Sequence, residues 1–257
     1  MRLQLQPLLT LLLTTSKHTV VSTFFTRRQT TTMTILPSPS AERNKAPIWD
    51  VLSAHVIPTL PAASSSDLRV LEVACGCGVH TLYFAEKMIR SKELKDGTNV
   101  RWFPTDPDPS SCDSVAARVA ACRDDDVARA IAPAAFLTLT KDGPAEDVME
   151  GEDGTIDLIT CINMIHISDW DATLGLMSMA GKLLSPNGVL YCYGPYKVGG
   201  TAVDSNLAFD ANLKSRNPSW GVRDLEEVMK VAERCGLRFE KKVEMPANNL
   251  SVVYRKI

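Results

Sequence analysis

The sequence predicts an α/β protein, a mostly parallel sheet with helices on both faces. Three observations carry that expectation. Strand-like apolar runs and helical-period segments alternate at least four times between residues 68 and 194, which calls for crossover connections and a parallel sheet. One run, "TIDLITCINMI" (155–165), is apolar almost without interruption, the pattern of a strand covered on both faces. A glycine-rich turn, "ACGCG", follows the first strand directly and opens into a helix, the place where parallel sheets bind ligands.

Taken in order, "NKAPIWDVLSAHV" sets Ile48, Leu52 and Val56 at helical spacing, with Asn44 as N-cap and Pro47 in the first turn. A serine-rich loop, "AASSSD", leads into a buried strand, "LRVLEVA" (68–74). The turn comes next, and Leu82, Ala85 and Ile89 mark the helix after it. "VRWFPTD" (100–106) is a strand ending on an acid, and "SVAARVAAC" a helix with Val115, Val119 and Cys122 on one face. "AFLTL" reads as a third strand and 155–165 as a fourth. "ATLGLMSMAGKLL" is a helix closed by the turn "SPNG", before the strand "VLYCYG". The tail changes rhythm. The helix "DLEEVMKVAERCGL" stops at Gly236, then "RFEKKVEM" and "LSVVYRKI" form a hairpin through "PANN". That hairpin puts one antiparallel strand into the sheet.

Charge narrows the partners. Of 28 basic residues, Arg2, Lys17, Arg27 and Arg28 precede Glu42, where no acid occurs, so the body is more acidic than the net −2 of the whole. An acidic body without a basic stripe argues against nucleic acid. The segment 1–37 is rich in Ser and Thr and has the composition of a mitochondrial or plastid transit peptide. Two other readings stand beside it: a secretory leader around "PLLTLLL", and a cytoplasmic protein starting at Met33. Against the leader stand seven cysteines, an odd number that suits a reducing compartment. No membrane-spanning run is present, and residues 38–257 read as the globular domain.

The turn decides the ligand class. Cys75 and Cys77 are two thiols where a structural zinc needs four ligands, and the other cysteines stand singly, so no metal is expected. Both read as small residues in a tight turn. A dinucleotide site needs G-x-G-x-x-G, and counting from Gly76 puts Thr81 where the third glycine belongs. Acid-x-small-x-Gly-x-Gly, here Glu72, Ala74, Gly76 and Gly78, instead resembles the first motif of class I methyltransferases. That resemblance implies that Glu72 orders the turn and helps hold the methionyl amine of S-adenosyl-L-methionine. It also implies that Asp106 accepts both ribose hydroxyls, with Asp108 its nearest competitor.

"SPSAERNKAPIWDVL", "LEVACGCGVHTLYFAE", "WFPTDPDPS", "CINMIHIS", "GPYKVGG", "WGVRDLEEV" and "VEMPANNL" occur in this order. The set resembles the methyltransferase-like protein 26 family over residues 38–257. The resemblance implies the Rossmann-like, seven-stranded class I methyltransferase fold with S-adenosyl-L-methionine as cofactor, and it brings no substrate. In place of the acid that relatives tend to have after the third strand, either Thr140 or Asp142 meets adenine.

The remaining candidates lie beyond the fourth and fifth strands. Asn163 is placed to contact the methionyl end or the acceptor. His166 is either a general base, for which imidazole chemistry suits neutral pH, or a strand-end cap. The polar segment 193–224, with Tyr196 as a second catalytic candidate, is long enough to form a substrate lid. Phe209 and Leu213, one helical turn apart, pack that lid. Arg43, Asn44 and Lys45 either close over the cofactor or form a charged surface. The expected activity is methyl transfer to a small polar acceptor, the alternative a cofactor-binding regulator without catalysis.

Overall fold

The computed structural model describes residues 34–61, 67–95, 97–146 and 148–257. Residues 1–33 of the N-terminal extension, with its targeting readings, and residues 62–66 of the serine-rich loop lie outside these residues.

Seven strands build the main sheet: β1 (Asp67–Val73), β2 (Asn99–Asp106), β3 (Ala135–Phe136), β4 (Ile156–Ile162), β5 (Leu184–Gly194), β6 (Leu237–Met245) and β7 (Asn249–Lys256). Their order across the sheet is β3-β2-β1-β4-β5-β7-β6. β1 to β5 run parallel, and β7 is inserted antiparallel between β5 and β6. This is the seven-stranded, mostly parallel sheet with a closing hairpin that the sequence leads one to expect. Strand order reverses between β1 and β4. Val73 pairs with Thr105 on one side and Cys161 on the other, so the turns after β1, β2 and β4 open on one edge, where such sheets bind ligands.

Strand alternation separates two cores. Leu71, Val73, Ile159, Cys161, Leu190 and Cys192 face α5 (Trp170–Leu183) and α7 (Leu225–Arg234). On the opposite face Val70, Trp102, Leu158, Val189 and Tyr191 pack under α1 (Pro39–Val51) and α2 (Val79–Ile89). All seven residues of β4 are buried, as its unbroken apolar run requires.

Several local expectations are corrected. α1 starts at Pro39 behind a Ser38 cap, so Asn44 sits inside the helix and is not its cap. Pro47 is likewise interior, and after it the helix widens into a π-turn over Leu52–Val56, consistent with the donor that proline removes. "SPNG" lies at the start of β5 rather than between elements, with Asn187 in the left-handed region (φ 64°). The third strand shrinks to two residues, followed by a hairpin of Leu139–Thr140 and Gly143–Pro144 resting on α5. Gly175 allows that approach, because a Cβ there would stand 2.0 Å from the Thr140 carbonyl oxygen. Two helices not read from the sequence are α4 (Asp125–Ala130) and α6 (Asp204–Arg216). α3 (Pro109–Ala120) lies where expected.

Candidate functional site

The site has two halves on the carboxyl edge of the sheet. The first is the turn after β1. Ala74, Gly76 and Gly78 all take left-handed φ values (55°, 55° and 81°). Gly78 is also a packing requirement, since a Cβ there would meet Val115 Cγ2 at 2.9 Å. Around Gly76 a Cβ would find nothing within 4 Å, so the turn is open on that side.

Asp106, at the end of β2, holds this turn directly. Its Oδ2 accepts the Gly76 N–H at 2.8 Å and its Oδ1 the Asp108 N–H at 2.9 Å. Burial pushes its carboxyl pKa up, against the backbone donors that pull it down. Asp108 is engaged elsewhere: it caps α3 by accepting from the Ser110 N–H and hydroxyl. Of the two acids, Asp106 is the one that holds the turn.

Glu72 sits beneath the turn, 2% exposed. Its Oε2 accepts from the Thr81 hydroxyl at 2.7 Å and from Trp102 Nε1 at 2.8 Å. Burial raises its pKa to about 7, opposed by those two hydrogen bonds. Glu72 therefore braces β1 against α2 and β2, and its observed partners are not in the cleft. Thr81, in the third-glycine position, is fully buried and uses its side chain for this brace. From the far side, Ser114 Oγ and Arg118 Nε both donate to the Cys77 carbonyl, at 3.0 and 2.7 Å. Arg118 also reaches the Leu36 carbonyl at 2.7 Å. Trp102, Ser114 and Arg118 had no signature in the sequence, because each acts across 30 residues or more. Cys75 is buried and its thiol pKa is pushed up by that burial, the behaviour of a packed small residue. Among the described residues no three His, Cys, Asp or Glu side chains gather as a metal site, and no helix is long and apolar enough to cross a membrane.

The second half is a cleft of about 790 Å³ beyond β4 and β5. Asn163 and His166 line it from the β4 end, Tyr193 and Pro195 from β5, Arg43 and Asn44 from α1, and Asn206 and Phe209 from α6. Pro246 to Asn249, the link between β6 and β7, closes one side, and Ala247 and Asn248 there are left-handed (φ 59° and 57°). Asn163 is left-handed too (φ 61°), its N–H bound to the Tyr193 carbonyl at 2.8 Å. His166 is 6% exposed, with the Phe209 ring edge-on at 5.6 Å. Burial, followed by the nearby Arg223, lowers its pKa to about 4, so the imidazole is neutral at pH 7.

Asn44 joins the halves. Its Oδ1 lies 2.7 Å from Nε2 of His80, in the first turn of α2, while the same residue lines the cleft. Of the sequence candidates, then, Asp106, Ala74, Gly76 and Gly78 meet at the turn, and Arg43, Asn163 and His166 meet in the cleft. Tyr196 meets neither. It is 4% exposed in the core beside Cys192 and Tyr254, and borders a smaller cavity of about 340 Å³. Thr140 donates within its own hairpin to the Gly143 carbonyl, and neither Thr140 nor Asp142 lines the cleft.

α6 forms the wall expected as a lid. Asp210 anchors it, 7% exposed: Oδ2 receives Lys197 and Lys214 Nζ at 2.9 and 2.8 Å, and Oδ1 the Val222 N–H at 2.8 Å. Burial raises its pKa, but these donors outweigh that and hold it below the usual range. Of the two residues read as lid packing, Leu213 is buried and Phe209 is 39% exposed over the cleft.

The sheet order and closing antiparallel hairpin give a Rossmann-like, seven-stranded fold of the kind found in solved methyltransferases. An O-methyltransferase family protein from Burkholderia thailandensis aligns with a TM-score of 0.60 and 17% identity, over 83% of this chain and 56% of that one. An O-methyltransferase family 2 protein from Planctomyces limnophilus, solved in complex with apigenin, gives 0.57 and 18%, over 86% and 63%. The mitomycin 7-O-methyltransferase gives 0.56 and 15%, over 84% and 57%. At these identities the likeness is one of fold, and the chain spans little more than half the length of such structures. The chain itself belongs to the family described as "Protein of unknown function (DUF938)", whose model matches residues 36–256.

Proposed function

We propose that the protein is an S-adenosyl-L-methionine-dependent methyltransferase, of the methyltransferase-like protein 26 type that its motif set resembles. One observation carries the reading: the Asp106 carboxylate stands at the end of β2, fixed by the Gly76 N–H, beside a turn that is open at Gly76. Each carboxylate oxygen already takes one backbone N–H and keeps lone pairs for a vicinal diol. The turn has no third glycine, with Thr81 in that position, so a nucleoside without a pyrophosphate suits it better than a dinucleotide.

When bound, the cofactor supplies an electrophilic methyl group on a sulfonium. The chain's part is alignment and proton management. Asp106 and the turn orient the nucleoside. Asn163 sits where β4 ends, between turn and cleft, and orients the methionyl end or the acceptor. His166 faces the cleft as a neutral imidazole able to take a proton, although a pKa of about 4 makes it a weak base. It therefore serves acceptors that are themselves readily deprotonated. Tyr196, in the core, takes no part.

Calorimetric titration with S-adenosylhomocysteine tests the reading, and no binding at millimolar ligand sinks it. The weak basicity of His166 also favours a second reading, a cofactor-binding regulator. That protein would bind S-adenosylhomocysteine yet transfer no labelled methyl group to any fraction of a cell extract.

A further inference from the structure

The charge and shape of the main cleft narrow the acceptor. Among the described residues no carboxylate lines it, although the chain carries 30 acidic residues. Its one permanently charged side chain is Arg43, exposed on α1 and, among the described residues, in no ion pair. The neighbouring cation is already satisfied, for Lys45 pairs with Glu42 and lies over the Tyr83 ring. An unpaired guanidinium in an acid-free cleft offers a planar fork of donors shaped for a carboxylate or phosphate. In a body of net negative charge it is also the local feature that attracts an anion.

The exposed part of the wall includes large apolar side chains beside polar Ser40, Ser205 and Asn248. Ile167 and Phe209 are 43% and 39% exposed, and both line the cleft. Large apolar side chains uncovered at the mouth of a cavity mark a surface that a ligand covers. An ammonium acceptor would find a cation and no anion here, whereas a sugar-like acceptor would leave Phe209 and Ile167 wet.

Resting on the methyltransferase reading above, we propose that the acceptor is an organic anion: a ring-sized apolar body covering Phe209 and Ile167, its carboxylate or phosphate held by Arg43. Arg43 is then an acceptor-recognition residue rather than the cofactor contact expected from its sequence position.

The test is calorimetric binding of four probes to the full chain saturated with S-adenosylhomocysteine: benzoate, phenyl phosphate, benzyl alcohol and benzylamine. At least one anion binds, and more tightly than the alcohol or the amine. The contrast between benzoate and phenyl phosphate names the anionic group. Arg43→Met weakens that anion about tenfold or more, the scale of one charge-assisted pair, while the affinity for S-adenosylhomocysteine stays within about threefold. Arg43→Lys recovers part of the loss. Equal binding of alcohol or amine overturns the proposal, as does failure of both anions at millimolar concentration. So does an Arg43→Met variant that loses S-adenosylhomocysteine in proportion, for that places Arg43 on the cofactor. If anions bind through Arg43 but S-adenosylhomocysteine does not bind at all, the cofactor reading fails and the anion site stands.

Discussion

The turn after β1 and the cleft beyond β4 share one sheet edge and are held together in different ways. At the turn, a single carboxylate takes backbone donors: Asp106 binds the N–H groups of Gly76 and Asp108. Packing under it is tight enough that Gly78 has no room for a methyl group. The cleft is walled by pieces from α1, β4, β5, α6 and the β6–β7 link, tied by side chains such as Asn206, which donates to the Asn248 carbonyl at 2.9 Å. A motif-built half is rigid through its backbone. A half assembled from distant segments is tied through its side chains; on the reading proposed above, the turn takes the constant cofactor and the cleft the specific acceptor.

The strongest way to break that contrast is Gly78→Val. It combines a left-handed backbone with a clash against Val115, and the expected cost is roughly 3 kcal/mol or more, read as a drop in the urea midpoint. An unchanged midpoint would show that the turn is not rigid. Next, Asp106→Ala removes the acceptor for Gly76 and, on the proposed reading, the acceptor for the ribose diol. S-adenosylhomocysteine affinity falls by about tenfold to a hundredfold, and retention of full affinity would separate the turn from the cofactor.

Asp210→Asn probes the other half. Losing the charge that holds Lys197 and Lys214 loosens α6 by about 1–3 kcal/mol locally. Amide exchange along 204–216 accelerates while S-adenosylhomocysteine affinity stays within about twofold. A parallel loss of cofactor affinity would mean the halves are one unit.

The smallest effect is a pH slope shared between them. His80 at the turn and His166 in the cleft each have a folded pKa of about 4, against about 6.5 when unfolded. As pH falls from about 6.5 to 4 the unfolded chain takes up these protons first, so stability is lost. Glu72, raised to about 7 from 4.5, acts oppositely: the folded state binds its proton first, and stability is lost as pH rises from 4.5 to 7. Two histidines outweigh one glutamate. Glu72→Gln therefore steepens the fall in urea midpoint between pH 6.5 and 4.5, and a slope no steeper than wild type would disprove the Glu72 assignment.

What was legible in the sequence was local. Strand periodicity located β1, β2, β4, β5 and the closing hairpin, because burial on one or both faces writes itself into neighbouring residues. The turn was legible because left-handed backbone selects glycine, and Asp106 because an acid ends a strand beside it. Asn44 was misread for the same reason: a good cap residue near a proline looks like a helix start, and only contact with His80 shows its use. α6 escaped because it has no clear apolar stripe, burying Asn206 and Asp210 beside Leu213. Tyr196 looked catalytic from its place after β5, yet the chain folds it inward, against Cys192 and Tyr254.

By itself, then, the sequence determined the alternation of strands and helices, the closing hairpin and the glycine-rich turn after β1. These depend on hydrogen bonds and burial periods within a few residues. Tertiary structure alone decided that Glu72 braces from below, that Arg118 and Ser114 clamp the turn, and that, among the described residues, Arg43 stands without an ion pair in a cleft that no acid lines. Those facts join residues tens to hundreds of positions apart, and no local pattern records which side chains the folded chain brings face to face.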